Sequence, residues 1–266
     1  MSPDTLRGVQ LLEALESGEV RVATRDEGGA WTVHAWVKEA ILDLFRTSDI
    51  VAMGDETHVA PDLDPSPFRD KDLLPVRRFG AADGVRLVPG GSAVRRGAHL
   101  APGVVCMPPM YVNVGAYVGE GSMVDSHALV GSCAQLGAGV HLSAAAQIGG
   151  VLEPPGARPV IVEDGAFIGG NTGVYEGVLV RERAVVAAGV VLTATTRVYD
   201  LVKERELGGT RETPLEIPAG AVVVPGTRPA SGAWAAERGL AASCALIVKY
   251  RDASTDVATA LEGALR

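Results

Sequence analysis

Residues 112–142 read VNVGAYVGEGSMVDSHALVGSCAQLGAGVHL, and every sixth position is aliphatic: Val112, Val118, Val124, Val130, Leu136 and Leu142. Followed backwards, the phase takes in Cys106, Leu100, Val94 and Val88; forwards it reaches Ile148. It breaks through Glu153-Pro154-Pro155-Gly156-Ala157-Arg158-Pro159, then resumes at Val162, Ile168, Val174, Val180, Val186, Leu192 and Val198. With 47% of the chain hydrophobic, chance does not keep every one of these positions apolar. Neither a helix of period 3.6 nor a strand of period 2 selects every sixth residue alone. A short strand that turns after each hexapeptide does. Three such sides close a triangular coil, with the aliphatic residue pointing inward. Stacking coils on one another stabilises them by roughly 1.5–3 kcal/mol per buried side chain before entropy is subtracted. A Gly/Val-rich β-sandwich is the alternative, but its strands alternate and hold no six-residue phase. The residue after the aliphatic one is often glycine, as in Val130-Gly131, Leu136-Gly137, Ile148-Gly149 and Ile168-Gly169. The expectation is that these glycines turn the corners.

The composition agrees with a narrow core. Aromatic residues make up only 5% of the 266, while glycine reaches 33. The formal net charge is −8, which argues against nucleic acid as a partner. The three cysteines, Cys106, Cys133 and Cys244, include no CxxC pair, so neither a disulfide framework nor a thiolate zinc site is expected. Asp4, Arg7, Glu13 and Glu16 interrupt the opening residues, and no apolar run reaches membrane-spanning length. A cytoplasmic protein with no membrane association is the expectation.

The flanks lack the repeat. Leu6, Val9, Leu12 and Leu15 predict an amphipathic helix ended by Gly18, and Trp36, Val37, Ala40, Ile41, Leu44 and Phe45 mark a second over 36–46. Residues 55–75, rich in Asp and Pro, read as a linker. A last repeat-like piece spans Ile217 to Val223. Ala245-Leu246-Ile247-Val248 reads as a strand, with a short helix expected after Asp252. The expected division is a helical domain over 1–85, a β-helix over 86–225 and a strand/helix extension over 226–266. The flanks would cap the open ends of the coil stack.

Longer stretches resemble a known family. Tyr111-Val112-Asn113-Val114-Gly115-Ala116-Tyr117-Val118, Met123-Val124-Asp125, Val130-Gly131-Ser132-Cys133-Ala134-Gln135 and Val140-His141-Leu142-Ser143 are similar to the tetrahydrodipicolinate N-succinyltransferases. So are Ile148-Gly149-Gly150-Val151-Leu152-Glu153-Pro154, Ile161-Val162-Glu163-Asp164, Thr196-Arg197-Val198-Tyr199-Asp200, Pro218 to Val224, and Trp31 to Arg46. The resemblance covers nearly the whole chain. It implies a left-handed parallel β-helix, against the usual right-handed rule for parallel crossovers, and a homotrimer with sites between neighbouring subunits. It implies succinyl transfer from succinyl-CoA to ring-opened tetrahydrodipicolinate, in lysine and diaminopimelate biosynthesis, with no metal expected.

The resemblance also implies site residues. Asp125 matches the aspartate that meets the substrate amine. Glu176, in Val174-Tyr175-Glu176-Gly177-Val178, matches the catalytic glutamate, read here as general base, with a nucleophilic role the lesser option. Arg86 matches a substrate-binding arginine suited to a dicarboxylate. Ala187-Ala188-Gly189 offer small residues to the pantetheine arm of CoA, and Arg228 and Lys249 are candidates for its phosphates. His127 and His141 are structural on this reading, though a histidine base is the competing role. One departure stands out. Many relatives read Gly-Ala-Arg-Ser-Glu where this chain has Gly169-Gly170-Asn171-Thr172-Gly173, so an arginine and a glutamate are missing at that corner. The rivals to succinyl transfer are the same reaction with acetyl-CoA, acyl transfer to another amine, a zinc lyase using His99, His127 and His141, and a scaffold without activity.

Overall fold

The computed structural model describes residues 6–53 and 68–252. The helix expected after Asp252 and most of the 55–75 linker lie outside them. From Ala93–Val94 to Val191–Leu192, two-residue strands recur every six residues except across the proline-rich excursion. Each pairs in parallel with the strand one coil away, as Tyr117 does with Gln135, 18 residues later. Eighteen residues make three hexapeptides, so the strands form three sheets around a triangular prism. The first face has ten strands, beginning at Arg86–Leu87, Val105–Cys106 and Met123–Val124; the second and third have six each. The second runs from Ala93–Val94 to Val191–Leu192, and the third from His99–Leu100 to Glu216–Ile217.

The excursion leaves the phase intact. Gln135 pairs with Ile161, a step of 26 rather than 18, so eight residues are looped out between two coils. A second loop follows Ala194: Leu179 pairs with Glu216, a step of 37, which adds 19 residues before the coil resumes.

The inward aliphatic residues are sealed from solvent, from Val94 and Val112 to Val186 and Leu192. Val88 departs from the expected phase. Leu87, not Val88, is in register with Cys106, because one extra residue at Gly90-Gly91 (φ 144° and 90°) separates that strand from the next. A second inward series sits two positions before the aliphatic one: Ala98, Val104, Met110, Ala116, Ala128, Ala134 and Val140 are all buried. Ser122 and Thr172 occupy equivalent places and donate their hydroxyls to Gly137 O and Ala187 O.

The glycines after the aliphatic residues do not turn the corners. Gly131, Gly137 and Gly169 have no left-handed φ; a Cβ on each would run into the backbone of the next coil. The left-handed positions fall three residues after the aliphatic one, at Gly97, Gly103, Gly115, Gly121, Gly139 and Gly189. His127, Cys133, Asn171 and Arg183 hold the same conformation without being glycine, as an L-residue does only where its surroundings impose it.

The N-terminal part packs on the third face. Helix α1 (Gly8–Ser17) ends at Gly18 with φ 81° and buries Leu11, Leu12, Ala14 and Leu15; Val9 is exposed. Helix α2 (Ala35–Thr47) buries Val37, Lys38, Ala40, Ile41 and Leu44, and both helices share a cluster with Val114 and Cys133 of the prism. Arg21 stacks over Tyr117 at 3.7 Å and bonds Gln135. Trp31 donates to buried Glu163 at 2.8 Å, and Arg181 binds the same carboxylate. Arg69–Lys71, read as linker, forms a strand antiparallel to Ile50–Ala52.

At the other end, one strand (Ala221–Pro229) runs across the expected 225/226 division and pairs antiparallel with Ala241–Tyr250. Helix α3 (Ala233–Glu237) lies between them. Val198–Asp200 joins Ala245–Ile247 in parallel. Burial alone would raise the Asp200 carboxyl pKa, but hydrogen bonds from Tyr250, Arg205 and the Val202 and Lys203 amides hold it below its ordinary value. No helix among the described residues is long and apolar enough to cross a membrane.

Candidate active site

Glu176 sits on the corner between the second and third faces, at φ 53°. That conformation turns the chain sharply after Gly173–Val174 and sets the side chain outward. Its Oε2 accepts a hydrogen bond from the Ala194 amide of the next coil at 3.2 Å. A cleft of about 550 Å³ opens beside it, walled by the two loops that interrupt the repeat. Pro154 and Arg158 come from the excursion, Arg211 and Pro214 from the later loop, and Gly149, Gly150 and Tyr175 from the corner itself. Arg158 is committed to structure: it donates to Gly177 O at 2.8 Å, to Pro214 O at 2.7 Å and to Glu216 at 2.6 Å. It thereby fastens the two loops together.

Asp125 lies elsewhere on the prism. It follows Met123–Val124 of the first face, at the corner leading to the second, and its Oδ1 caps the Ser126 amide at 2.7 Å. The single chain therefore does not bring Asp125 and Glu176 together; they occupy different edges. What it does align with Asp125 is the remainder of the first face. Arg86 stands exposed two strands below Met123, roughly 10 Å away at the usual strand spacing. Ala187-Ala188-Gly189 form the same corner as Asp125, three strands above, roughly 14 Å along the edge. Ala188 and Gly189 are exposed there. Lys249 pairs with Val222 at the upper end of this face, its Nζ 3.4 Å from Asp252. Arg228 lies six residues beyond Val222 on the antiparallel ribbon, away from the other four positions.

The histidines hold separate places. His99 is on the third face, stacked on Tyr117 and bonded through Nδ1 to Glu16 O at 2.9 Å; burial lowers its pKa. His127 is an exposed corner residue, and His141 is buried on the first face against Phe167. They do not converge.

A family model described as tetrahydrodipicolinate N-succinyltransferase N-terminal matches residues 8–47, and one for the hexapeptide repeat of succinyl-transferase matches 159–194. A 2,3,4,5-tetrahydropyridine-2,6-dicarboxylate N-succinyltransferase of Paramagnetospirillum magneticum is 46% identical over 92% of this chain and 83% of its own length. The chain belongs to the 2,3,4,5-tetrahydropyridine-2,6-dicarboxylate N-succinyltransferase family. The Nitrobacter hamburgensis member is also 46% identical, over 96% of this chain and 87% of its own. The Bordetella petrii member is 44% identical over 97% and 88%. A crystal structure from Campylobacter jejuni, provisionally described as a 2,3,4,5-tetrahydropyridine-2-carboxylate N-succinyltransferase, superposes with a TM-score of 0.54 at 18% identity. The match covers 90% of this chain and 61% of that one, and at this identity it speaks for the fold.

Within the family framework, the sequence reading missed two cleft residues. Tyr175 is the neighbour of Glu176, yet its ring folds back over Gly173, where a Cβ would collide with it. Arg211 stands in the sequence with Lys203 and Arg205 in the segment between Asp200 and Pro214, with no motif to single it out. The signal for both was available: the glycine at 173 and the 19-residue lengthening at the coil above Glu176.

Proposed function

We propose that this chain transfers the succinyl group of succinyl-CoA to the amine of ring-opened tetrahydrodipicolinate, giving N-succinyl-2-amino-6-oxopimelate and CoA. The observation that carries the assignment of the chemistry is Glu176, an acid set on a left-handed corner beside a cleft, with a single hydrogen bond to described residues, from the Ala194 amide. The acceptor amine must lose a proton to attack the thioester. In this reading Glu176 takes it as the C–N bond forms, and the proton then serves the departing CoA thiolate as the C–S bond breaks. Backbone N–H groups at the coil corner stabilise the oxyanion in between. Asp125 orients the amine, and Arg86, on the same face, grips a substrate carboxylate. The Ala187-Ala188-Gly189 corner lies along the Asp125 edge and admits the pantetheine arm, with Lys249 nearest the phosphates. Arg228 is the weaker phosphate candidate because the ribbon carries it away.

The prism winds left-handed in this reading, and the protein is a cytoplasmic homotrimer. Asp125 and Glu176 lie on different edges, so a threefold arrangement of parallel prisms completes the site by setting the Asp125 edge of one subunit beside the Glu176 edge of the next. The test is thiol release from succinyl-CoA with tetrahydrodipicolinate, comparing wild type with Glu176→Gln. The expected result is a loss of kcat of about a hundredfold or more in the variant, with thermal unfolding unchanged. Full turnover in Glu176→Gln would remove the base assignment.

A further inference from the structure

The 201–214 loop brings to the Glu176 cleft a cation with no hydrogen bond or ion pair among the described residues. That cation, Arg211, lines the cleft with Tyr175 and Glu176. Its turn is nevertheless fixed. Thr210 Oγ1 accepts from the Glu212 and Thr213 amides at 3.1 and 3.0 Å, and Thr210 N donates to Thr213 O at 2.9 Å. Pro214 then packs on Gly177, and Leu215 N donates to Ala194 O at 3.1 Å. Ala194 is the residue whose own amide bonds Glu176. Arg211 is thus held on a turn anchored to the catalytic corner. The Tyr175 ring, which lines the same cleft, lies over buried Gly173, which contributes no side chain.

We infer that Arg211 is a specificity-determining residue that receives a ligand carboxylate in the Glu176 cleft, with the Tyr175 ring as its apolar wall. A guanidinium binds a carboxylate through two parallel N–H···O bonds, and Arg158, the other guanidinium here, has its donors engaged. The inference rests on the succinyl-transfer reading, in which both co-substrates bring carboxylates: the free end of the succinyl group, and the dicarboxylate acceptor.

Steady-state rates of Arg211→Gln and Arg211→Lys, varying each co-substrate in turn, distinguish the two sources. If the donor carboxylate binds Arg211, the kcat/KM preference for succinyl-CoA over acetyl-CoA falls about ten- to a hundredfold in Arg211→Gln. If the acceptor carboxylate binds, its KM rises by a similar factor and the donor preference stays. Arg211→Lys retains part of either effect. Donor preference and acceptor KM both within about twofold of wild type, in a variant with unchanged thermal unfolding and assembly mass, would overturn the inference. Calorimetric titration with pimelate gives a readout that needs no turnover. Weaker pimelate binding in Arg211→Gln upholds the acceptor-carboxylate site even if wild type turns over neither donor, and equal binding overturns that arm, leaving an unchanged donor preference to overturn the whole.

Discussion

Among the described residues Lys38 is the largest fully buried side chain, and its ammonium reaches Ala157 O at 2.6 Å. It ties α2 to the excursion that walls the Glu176 cleft. Burial lowers its pKa below the ordinary lysine value, with neighbouring Cys133 opposing the shift. The sign follows from linkage: the unfolded chain holds the Lys38 proton more tightly than the folded one, so folding becomes more favourable as pH rises toward the ordinary lysine range. Lys38→Met removes that dependence. The denaturant-derived stability of wild type minus that of Lys38→Met is expected to increase with pH across the alkaline range; a flat difference would contradict the burial argument. Nothing in the sequence announced Lys38, since it stands inside the apolar stripe between Val37 and Ala40 where a polar residue normally marks the wet side of a helix. Asp125 and Glu176 enter as candidates only through resemblance, because an acid at a corner is otherwise a solvated surface residue.

The repeating element was the most readable feature. Six-residue spacing of Val, Ile and Leu specifies two-residue strands, and every aligned position from Val94 to Leu192 is buried. The second inward series was also written in the sequence, but it mixes Ala and Val with Ser122 and Thr172 and so hides from an apolar filter. Glycine was misread for a physical reason: two different demands, left-handed φ and close approach of coils, select the same residue. They separate by mutation. Gly131→Ala places a methyl against the Gly150 backbone and should cost about 3 kcal/mol, as overpacking does. Gly139→Ala meets open space but must hold φ near 63°, a cost of about 1–2 kcal/mol. Urea unfolding of both variants decides the matter, and a Gly131→Ala no worse than Gly139→Ala would refute the close-approach explanation.

At the scale of the whole molecule, the prism is a rigid ruler that sorts side chains onto edges by their sequence spacing. Asp125 and Glu176 are 51 residues apart; subtracting the eight looped out leaves 43, two full coils and about one further side. That arithmetic puts them on neighbouring edges, and it could have been done from the repeat alone once the length of the excursion was known. On the proposed reading, in which Asp125 and Glu176 serve one site, the site needs a second copy of the chain, and activity becomes a property of the assembly. Subunit mixing measures this directly. Asp125→Asn and Glu176→Gln are each prepared as inactive assemblies, then dissociated, combined in equal amounts and reassembled. If each site takes Asp125 from one subunit and Glu176 from its neighbour, mixed assemblies contain intact sites and recover about a quarter of wild-type thiol release, the statistical share for one site between two subunits. Recovery at the level of the parent variants, with mixed assemblies confirmed by native mass, would contradict it.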